Sequence, residues 1–232
     1  MTGRIQLMTH VELVREVQLH GDVDLAYWRD FLAGINLAPL NCDGKAQMQL
    51  TVAEKRFTGG TFNVFTITVL VASTPADPSA PGYYLAHAYN TSSVFALMER
   101  LIYKTPYFTG AIDLKDTVPV SFALRDGNDV VLSAMCCGAA QPVKPGEDIE
   151  SAVYVPSRPG HNEVAKGYAA NQSITTVTWP FGLSDTFRVQ SPRTHHALQM
   201  LVDAHFRPQF WRVQSRINRQ GSETNATVLA LV

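Results

Sequence analysis

Residues 82–108 constrain the fold of this chain more than any other segment, and they read GYYLAHAYNTSSVFALMERLIYKTPYF. A β-rich run over 82–89 leads into residues 90–92, whose polar side chains can cap a helix. Helical spacing follows over about 92–104, and Pro106 ends the helix because a proline disfavours helical backbone at the residue before it. We predict that this helix buries one apolar face, formed by Val94, Leu97, Met98, Leu101 and Ile102.

Strand signals dominate the rest of the chain, and only two further helices are predicted. Gly21 is expected to end the first strand, and Asp22 is expected to cap the first helix. Gly59-Gly60 is a hairpin signal between two β-rich runs. The predicted strands cover 11–20, 46–57, 61–72, 82–89, 109–114, 118–125, 129–137, 173–179, 185–190, 209–218 and 224–231. Pro- and Gly-rich loops are predicted over 73–81 and most of 138–172. The predicted helices cover 23–33, 92–104 and 193–206, and the first places Leu25, Trp28, Phe31 and Leu32 on one face.

The order of these elements predicts an α+β fold. Strands follow strands through hairpins, and helices do not alternate with them, which disfavours a doubly wound parallel sheet. We expect a large antiparallel sheet with about three helices, in one domain that spans residues 1–232. An open sheet of so many twisted strands would leave long unpaired edges, so the sheet is expected to curl towards closure.

Composition limits the classes of partner and the compartment. Apolar residues make up 46% of the chain, enough for a substantial core, and the net charge of −1 does not favour nucleic acid or an anionic membrane as a partner. No apolar run approaches the roughly 18 residues that a membrane span needs. The charged N-terminal segment is not expected to be a signal peptide. The cysteines Cys42, Cys136 and Cys137 suit reduced thiols, so we expect a cytoplasmic protein.

Residues 82–108 resemble the core motif of the acetoacetate decarboxylase-like superfamily, and a weaker colinear resemblance runs from about residue 11 to 190. In the decarboxylases the motif ends in Pro-Lys-Lys, and its first lysine forms a Schiff base with the substrate. Here Thr105-Pro106-Tyr107 stands at that place, and it is similar to a branch of uncharacterised proteins that carry Pro-Tyr. The resemblance therefore implies a sheet curled into a cone-like barrel around a buried pocket, without the catalytic lysine.

The resemblance also indicates which residues would contact a substrate. The family places an acid on the hairpin strand before the motif, where this chain has Asn63 and Val64. It places an arginine on its first strand, which corresponds to Arg15. Glu99-Arg100 resembles the charged pair that precedes the family's lysine, and the alternative is that both residues only orient the helix. The predicted substrate-binding residues are Arg15, Asn63, Glu99, Arg100 and Lys104.

Tyr107 and two residues of the preceding strand are the predicted acid–base groups. A tyrosine cannot form a Schiff base, but its phenol can donate a hydrogen bond to a carbonyl oxygen or act as a general acid. His87 and Tyr89 are two residues apart on the predicted strand, so they share a face. The ordinary histidine pKa of about 6.5 suits proton transfer, and a merely hydrogen-bonded His87 is the alternative. Alternatively, Lys104 or Lys115 supplies the amine that the motif lacks. Lys104 can also be a solvated lysine at the helix C-terminus, where the helix dipole favours a positive charge.

Motifs for metal, nucleotide or serine-hydrolase chemistry are missing from the sequence. His195 and His196 are adjacent at the start of a predicted helix and point about 100° apart, so they cannot easily bind one metal ion together. HExxH, GxSxG, GxGxxG and the phosphate-binding loop are all absent. Cys136-Cys137 ends a predicted strand, where a buried structural thiol is expected. We therefore predict no metal and no cofactor.

The leading hypothesis is a small-molecule biosynthetic enzyme that performs carbonyl chemistry in the barrel pocket without a lysine Schiff base. Decarboxylation, aldol or dehydration chemistry and cyclisation are the reaction classes that suit such a pocket. The alternative is a non-catalytic binding protein that kept the pocket and lost the chemistry, which the missing lysine and missing acid favour. The expected partner is a small-molecule carbonyl substrate, and the strand edges allow a homo-oligomer.

Overall fold

The computed structural model describes residues 5–9, 13–35, 37–57, 60–72, 81–103, 105–138, 152–154, 163–168, 174–190, 195–217 and 222–228. Within these ranges the chain forms mainly strands, with a few short helices. Up to residue 103 the elements are β1 (Ile5–Thr9), β2 (Leu13–Asp24), α1 (Leu25–Phe31), β3 (Ala38–Pro39), β4 (Lys45–Phe57), β5 (Gly60–Ala72), β6 (Gly82–Asn90), α2 (Ser93–Met98) and a π-helical turn (Glu99–Tyr103). From residue 105 onward they are β7 (Tyr107–Thr109), β8 (Ala111–Lys115), β9 (Ser121–Asp126), β10 (Asp129–Met135), β11 (Ala152–Tyr154), β12 (Glu163–Tyr168), β13 (Ile174–Pro180), β14 (Thr186–Val189), α3 (His196–Asp203), β15 (Arg207–Ile217) and β16 (Ser222–Val228).

Two sheets contain all the described strands. The main path of the larger, 12-stranded sheet runs in the order β1-β16-β12-β11-β6-β5-β4-β2-β15-β13, with β3 paired to β5 and β7 paired to β6. The smaller sheet has the order β14-β10-β9-β8. Strand β6 pairs in parallel with β7 and β11, and the other pairings among the described strands are antiparallel. The predicted α+β class, with a large and mostly antiparallel sheet and three helices, is confirmed for the described part of the chain.

Alternate residues of the large sheet point to two faces of opposite character. On β2, Val17 and Leu19 are fully buried in the core, while Glu16, Gln18 and His20 point the other way. The strand registers align residues of the same face in neighbouring strands, so the two faces extend across β15, β2, β4, β5, β6 and β7. We call the apolar side the core face and the opposite side the polar face. The polar face carries Glu16, Gln18, His20, Gln49, Thr51, Lys55, Thr66, Thr68, Tyr83, Tyr107, Arg212 and Gln214.

The hydrophobic core lies between the core face, the smaller sheet and helices α1 and α3. The ring centroid of Phe122 in the smaller sheet lies 6.2 Å from that of Phe65 and 6.0 Å from that of Trp211, both in the large sheet. Trp28 from α1 and Leu198 from α3 are fully buried in the same cluster. Burial of each such side chain contributes about 1.5–3 kcal/mol, so this layer holds the two sheets together.

The first strand and helix differ by a few residues from their predicted positions. The prediction that Gly21 ends the strand is wrong, because β2 continues to Asp24. Asp24, and not Asp22, caps α1 by accepting hydrogen bonds from the backbone N–H groups of Ala26 and Tyr27 at 2.7 and 3.0 Å. The predicted helix face is confirmed as buried for Leu25, Trp28 and Leu32.

Helix α2 is shorter than predicted and exposes the apolar face that its sequence pattern predicts to be buried. The helix is rotated so that Phe95 stacks on Phe62 of β5, with ring centroids 4.8 Å apart, and Ala96 is fully buried. The side chain of Ile102 lies outside the described residues. The prediction is therefore wrong for the four other residues, which are between 44% and 64% exposed: Val94, Leu97, Met98 and Leu101.

The remaining predictions vary in outcome. The predicted hairpin is confirmed, because β4 and β5 pair antiparallel as far as Phe57 and Gly60. Strand β1, which pairs with β16, is missing from the predicted strands because five residues of mixed polarity carry a weak periodic signal. The last predicted helix is confirmed in its centre by α3. The loop predictions for 73–81 and much of 138–172 lie mostly outside the described residues.

A close backbone approach at Gly21 predicts a loss of stability on substitution. A Cβ atom there would lie 2.5 Å from the carbonyl oxygen of Arg207 and 2.6 Å from the ring of Phe206, so the backbone would have to move. We expect Gly21→Ala to lower the free energy of unfolding by about 1–3 kcal/mol, measured by urea denaturation. Gly138→Ala is the control, because a Cβ at that position would meet no atom within 4 Å. A Gly21→Ala variant as stable as the wild type would contradict this packing.

Candidate functional site

Part of the polar face is buried although it lies opposite the core. Gln18, Thr51 and Gln214 are only 4%, 9% and 8% exposed. In an ordinary antiparallel sheet with one solvated face, side chains at such positions would be exposed. Buried polar side chains persist where hydrogen bonds or a bound molecule offset their desolvation. The polar face is therefore the first candidate for a functional site.

A chain of hydrogen bonds follows β2 along the polar face. The Gln18 amide donates from Nε2 to Glu16 Oε1, which leaves the Gln18 Oε1 atom to accept from the Nε2–H of His20 at 2.8 Å. The His20 ring also stacks on Phe210, with centroids 4.4 Å apart and 11° between the ring planes. Burial and, secondly, the charge of Arg212 lower the pKa of His20 to about 3. His20 is therefore a neutral imidazole near pH 7, with its proton on Nε2.

Tyr83 of β6 lies within range of charges on β2 and β15. Burial raises the pKa of the Tyr83 phenol above its ordinary value, the charge of Arg212 opposes this shift, and the charge of Glu16 adds to it. Charges from two other strands thus act on this phenol. The Tyr83 phenol keeps its proton near neutral pH and can donate a hydrogen bond.

Tyr107 lies on the polar face near the other end of β6. Its partner in the parallel register is Ala88, which is fully buried. Burial first, and the charge of Glu99 second, raise the pKa of Tyr107 well above its ordinary value. Burial also raises the pKa of Glu99, against the opposing effects of a hydrogen bond from Thr105 and the charge of Lys55. Both groups are therefore biased towards their protonated forms.

Local backbone geometry holds Tyr107 and Glu99 close to each other. Pro106 has no N–H to continue the helix, and its carbonyl accepts from the Ala88 N–H at 3.1 Å, which begins the pairing of β7 with β6. Thr105 binds Glu99 twice. Its N–H donates to the Glu99 carbonyl at 3.3 Å, and its hydroxyl donates to Glu99 Oε2 at 3.1 Å. Such π-helical turns are frequent at functional sites.

His87 and Tyr89 lie on the core face and line a groove of about 280 Å³ between β6, β9 and the start of α3. The Nε2 atom of His87 lies 3.2 Å from Nδ1 of His196, and its own Nδ1 is buried without a hydrogen-bond partner among the described residues. His195 Nε2 lies 3.3 Å from Asp126 Oδ2 on the same side of the groove. Burial and, secondly, His196 lower the pKa of His87 to about 4. The groove is a second candidate site.

The sheet divides the three predicted acid–base residues between its two faces. Phe108 pairs with Tyr89 in the parallel register, and its ring centroid lies 6.0 Å from that of Tyr89 and 6.2 Å from that of His87. Tyr107 precedes Phe108 in the strand and therefore points to the opposite face. A molecule in contact with the Tyr107 phenol is separated by the sheet from His87 and Tyr89. The structure thus does not bring together the residues predicted to act in one site.

Two of the predicted substrate-binding residues have structural partners away from the polar face. Arg15 lies on the core face, where its Nε is 3.8 Å from Asp116 Oδ2. Asn63 donates from Nδ2 to the backbone carbonyl of Ile112 at 3.0 Å, which ties the large sheet to the smaller one. Neither side chain reaches the polar face, because both follow the alternation of the core face.

The charged residues around the motif helix also separate. Glu99 reaches the polar face beside Tyr107, whereas Arg100 is exposed. Lys115 is exposed on β8 of the smaller sheet. Lys104 lies outside the described residues. The Glu99 carboxyl group is therefore present on the polar face. It comes from the π-helical turn, and not from the hairpin strand where the family resemblance places an acid.

Sequence reasoning did not single out the residues at the β2–β15 end of the polar face. Their signal is the two-residue alternation of polar and apolar side chains in both strands. The same alternation is typical of a sheet with a solvated face, so the pattern does not show that part of this face is buried. The residues without a predicted role are Glu16, Gln18, His20, Tyr83, Phe210 and Arg212.

Among the described residues, no three His, Cys, Asp or Glu side chains are arranged to hold a metal ion. The adjacent His195 and His196 contact different partners, Asp126 and His87 respectively. Over the same described ranges, every helix is too short or too polar to cross a membrane.

Solved structures with the same fold are enzymes. The enduracididine biosynthesis enzyme MppR superposes with a TM-score of 0.64 at 13% identity, over 94% of this chain and 86% of that one. Acetoacetate decarboxylase from Legionella pneumophila subsp. pneumophila str. Philadelphia 1 gives a TM-score of 0.63 at 14% identity, over 97% of this chain and 88% of that one. An acetoacetate decarboxylase-like enzyme from Sphingomonas wittichii RW1 gives 0.61 at 13% identity, over 95% and 92%. MppR has also been solved with pyruvate and with the condensation product of pyruvate and imidazole 4-carboxaldehyde.

These likenesses define the class of fold, which is that of the acetoacetate decarboxylase-like enzymes. The resemblance inferred from residues 82–108 is thereby confirmed at the level of the fold. No protein-family model matches the chain, and no curated protein matches it in sequence. At identities of 13–14% the likeness carries the fold alone, so the function has to be argued from the residues of the site.

The lowered histidine pKa values predict how stability depends on pH. The folded-state pKa values, about 3 for His20 and about 4 for His87, lie below the unfolded value of 6.5. Between these values the unfolded chain binds protons that the folded chain does not. The stability that depends on the two histidines being neutral is therefore complete above pH 6.5 and is lost as the pH falls towards 4.

Substitution of His20 tests this pH dependence. The free energy of unfolding of the wild type should fall between about pH 7.5 and about pH 4.5, as measured by urea denaturation. We expect the fall to be smaller in His20→Gln. Thr68→Val is the control, because it alters a side chain of the same face, beside Gln49, without removing a titratable group, so the pH dependence should stay as in the wild type. The same pH dependence in His20→Gln and the wild type would contradict a buried, neutral His20.

Proposed function

We propose that the protein is a small-molecule enzyme that performs carbonyl chemistry on the polar face of its sheet without a lysine Schiff base. The observation that carries this proposal is the juxtaposition of Tyr107 and Glu99, two groups biased towards their protonated forms on a partly buried polar surface. Thr105 holds the Glu99 carboxyl by a hydrogen bond. Such a pair is typical of a general acid with a proton source beside it.

Tyr107 is the proton donor in this proposal. Its phenol O–H donates a hydrogen bond to the substrate carbonyl oxygen and stabilises the negative charge that develops there. Glu99 is close enough for its charge to act on the phenol, so it can exchange a proton with Tyr107 or with the substrate. Decarboxylation, aldol addition with dehydration, and cyclisation through an enol all benefit from a donor placed at the carbonyl oxygen. His87 and Tyr89 have no part in this step, because they lie on the other face.

The proposal includes the curled, cone-like sheet that the family resemblance implies. Tyr83 on β6 and Arg212 on β15 are four strand spacings apart, which is about 19 Å on a flat sheet. The charges of Arg212 and Glu16 nevertheless act on the Tyr83 phenol. We infer that the polar face is concave and that these side chains approach each other across it. Tyr107, on the strand beside β6, would line the same concavity.

The structural neighbours support small carbonyl compounds as the substrate class. MppR is a biosynthesis enzyme, and it has been solved with pyruvate and with a product condensed from pyruvate and an aldehyde. Acetoacetate decarboxylase shares the same fold. A carbonyl substrate also suits Tyr107, because a protonated phenol recognises an uncharged oxygen acceptor.

A non-catalytic small-molecule-binding protein is the alternative, and the tyrosine at the place of the family's lysine favours it. Compounds recovered from the purified protein separate the two proposals by mass spectrometry. A recovered ligand that is converted during long incubation supports the enzyme, and one that remains unchanged supports the binding protein. A cytoplasmic location and a homo-oligomeric state remain predictions from the sequence.

Removal of the Tyr107 hydroxyl tests the proposed proton donor. With acetoacetate decarboxylation and the condensation of pyruvate with imidazole 4-carboxaldehyde as probe reactions, we expect Tyr107→Phe to lower kcat about 100-fold or more. Tyr27→Phe is the matched control, because Tyr27 lies on α1 beside the core, and kcat should stay within about twofold of the wild type. Activity in Tyr107→Phe equal to that of the wild type would refute this role.

Borohydride trapping tests the absence of a Schiff base. Wild-type protein incubated with acetoacetate and sodium borohydride should show no increase in intact mass, because a tyrosine follows Pro106 where the family has its lysine. Tyr107→Lys is the matched positive control, since it restores an amine at that position. A trapped adduct in the wild type, mapped by peptide mass spectrometry to Lys55, Lys104 or Lys115, would show that another lysine performs the chemistry.

A further inference from the structure

Arg212 on β15 carries a buried hydrogen-bond donor. In the part of the chain that the structure describes, its Nε–H has no hydrogen-bond partner. None of the ion pairs found among the described residues includes Arg212. An unpaired buried donor on a charged group costs free energy, so its presence on a partly buried polar surface indicates that a bound molecule supplies the acceptor.

Neighbouring side chains fix the position of the guanidinium group. The Cζ atom of Arg212 lies 5.9 Å from the ring centroid of Phe210, and Phe210 is itself stacked on His20. The strand register sets Arg212 beside Gln18. The Gln18 amide is already engaged with Glu16 and His20, so it does not serve Arg212. The guanidinium is therefore held in place while its Nε–H remains free.

Arg212 and Tyr107 occupy the two ends of one row across the polar face. The strands pair in the order β15, β2, β4, β5, β6 and β7, and each strand contributes one residue to the row, directly opposite the residue of the next strand. Three of the four side chains between the two ends are threonine or alanine, and small side chains leave room above the sheet. The members between Arg212 and Tyr107 are, in order, Gln18, Thr51, Thr66 and Ala88.

We propose that Arg212 binds the carboxylate of the substrate. The inference rests on the proposed function, because it assigns the anionic group of the molecule whose carbonyl oxygen Tyr107 contacts. Guanidinium N–H groups match the geometry of a carboxylate and form strong, charge-assisted hydrogen bonds with it. The Tyr83 hydroxyl, which is in range of the Arg212 charge, is an additional donor.

The charges near Arg212 favour a monoanion over a phosphate. Glu16 lies on the same surface, and both its charge and that of Arg212 act on Tyr83. A dianionic phosphate would be repelled more strongly by Glu16 than a carboxylate would. The anionic group that suits Arg212 is therefore a carboxylate and not a phosphate.

Equilibrium binding of pyruvate tests the role of Arg212 without any need for turnover. Isothermal titration calorimetry compares pyruvate with its uncharged ester, methyl pyruvate, for the wild type, Arg212→Gln and Arg212→Lys. We expect Arg212→Gln to weaken pyruvate binding at least about tenfold and methyl pyruvate binding less than about twofold. Arg212→Lys keeps the positive charge but loses the planar guanidinium group, so its affinity for pyruvate should lie between those of the wild type and Arg212→Gln.

The matched control is Arg188→Gln, because Arg188 is exposed on β14 of the smaller sheet, and its pyruvate affinity should equal that of the wild type. The proposal is overturned if Arg212→Gln binds pyruvate as the wild type does. It is also overturned if the wild type binds methyl pyruvate as tightly as pyruvate, or binds neither pyruvate nor acetoacetate.

A spectroscopic measurement on the wild type covers the case in which Arg212→Gln fails to fold. The Nε–H signal of Arg212 in a proton–nitrogen correlation spectrum is identified by its loss in Arg212→Lys. We expect this signal to shift on titration with pyruvate and not with methyl pyruvate. A signal that pyruvate leaves unmoved overturns the proposal.

Failure of this proposal and failure of the proposed function give different results. If Tyr107→Phe stays active while Arg212→Gln loses pyruvate binding, the carboxylate site stands and the role of Tyr107 falls. If Tyr107→Phe is inactive while Arg212→Gln binds pyruvate normally, the role of Tyr107 stands and the carboxylate site falls.

Discussion

Packing of the core face against the smaller sheet and helices α1 and α3 is the interaction on which the rest of the structure depends. Because strand residues alternate, fixing Leu19 and Trp211 in the core commits Gln18 and Arg212 to the opposite face. A slip of one residue in any of these registers would exchange the two faces of that strand. The apolar core thus determines which polar side chains meet on the other side of the sheet.

The polar face unites features that are separate in the chain. Helix α2 and the π-helical turn bring Glu99 to Tyr107, while β2 and β15 bring His20 beside Arg212. A neutral histidine and protonated acids are the states that burial favours, so the surface offers hydrogen-bond donors in addition to the guanidinium group of Arg212. The groove at His87 lies on the other side of the sheet and can serve a substrate at Tyr107 only indirectly. The fold shared with acetoacetate decarboxylase-like enzymes thus places these polar groups together on one face of the sheet.

The sequence predicted the parts of the fold that have strong local signals. The β4–β5 hairpin and the buried face of α1 follow from periodicity, and the segment around Pro106 indicated the fold. The face of α2 was not predictable in the same way, because Phe95 and Glu99 point inward for reasons that lie in β5 and β7. The separation of His87 from Tyr107 depends on the parallel register of β6 and β7, which local patterns do not encode. Burial of Gln18, Thr51 and Gln214 is likewise a tertiary property, so alternation in β2 and β15 indicated strands and not a site.

A crystal structure of the protein with bound pyruvate tests the central claim most directly, which is that the polar face holds the substrate. The claim predicts electron density for pyruvate on the polar face, with its carboxylate at hydrogen-bond distance from Arg212 and its carbonyl oxygen directed towards Tyr107. Pyruvate bound instead in the groove beside His87 and Tyr89, with the polar face unchanged, would contradict it.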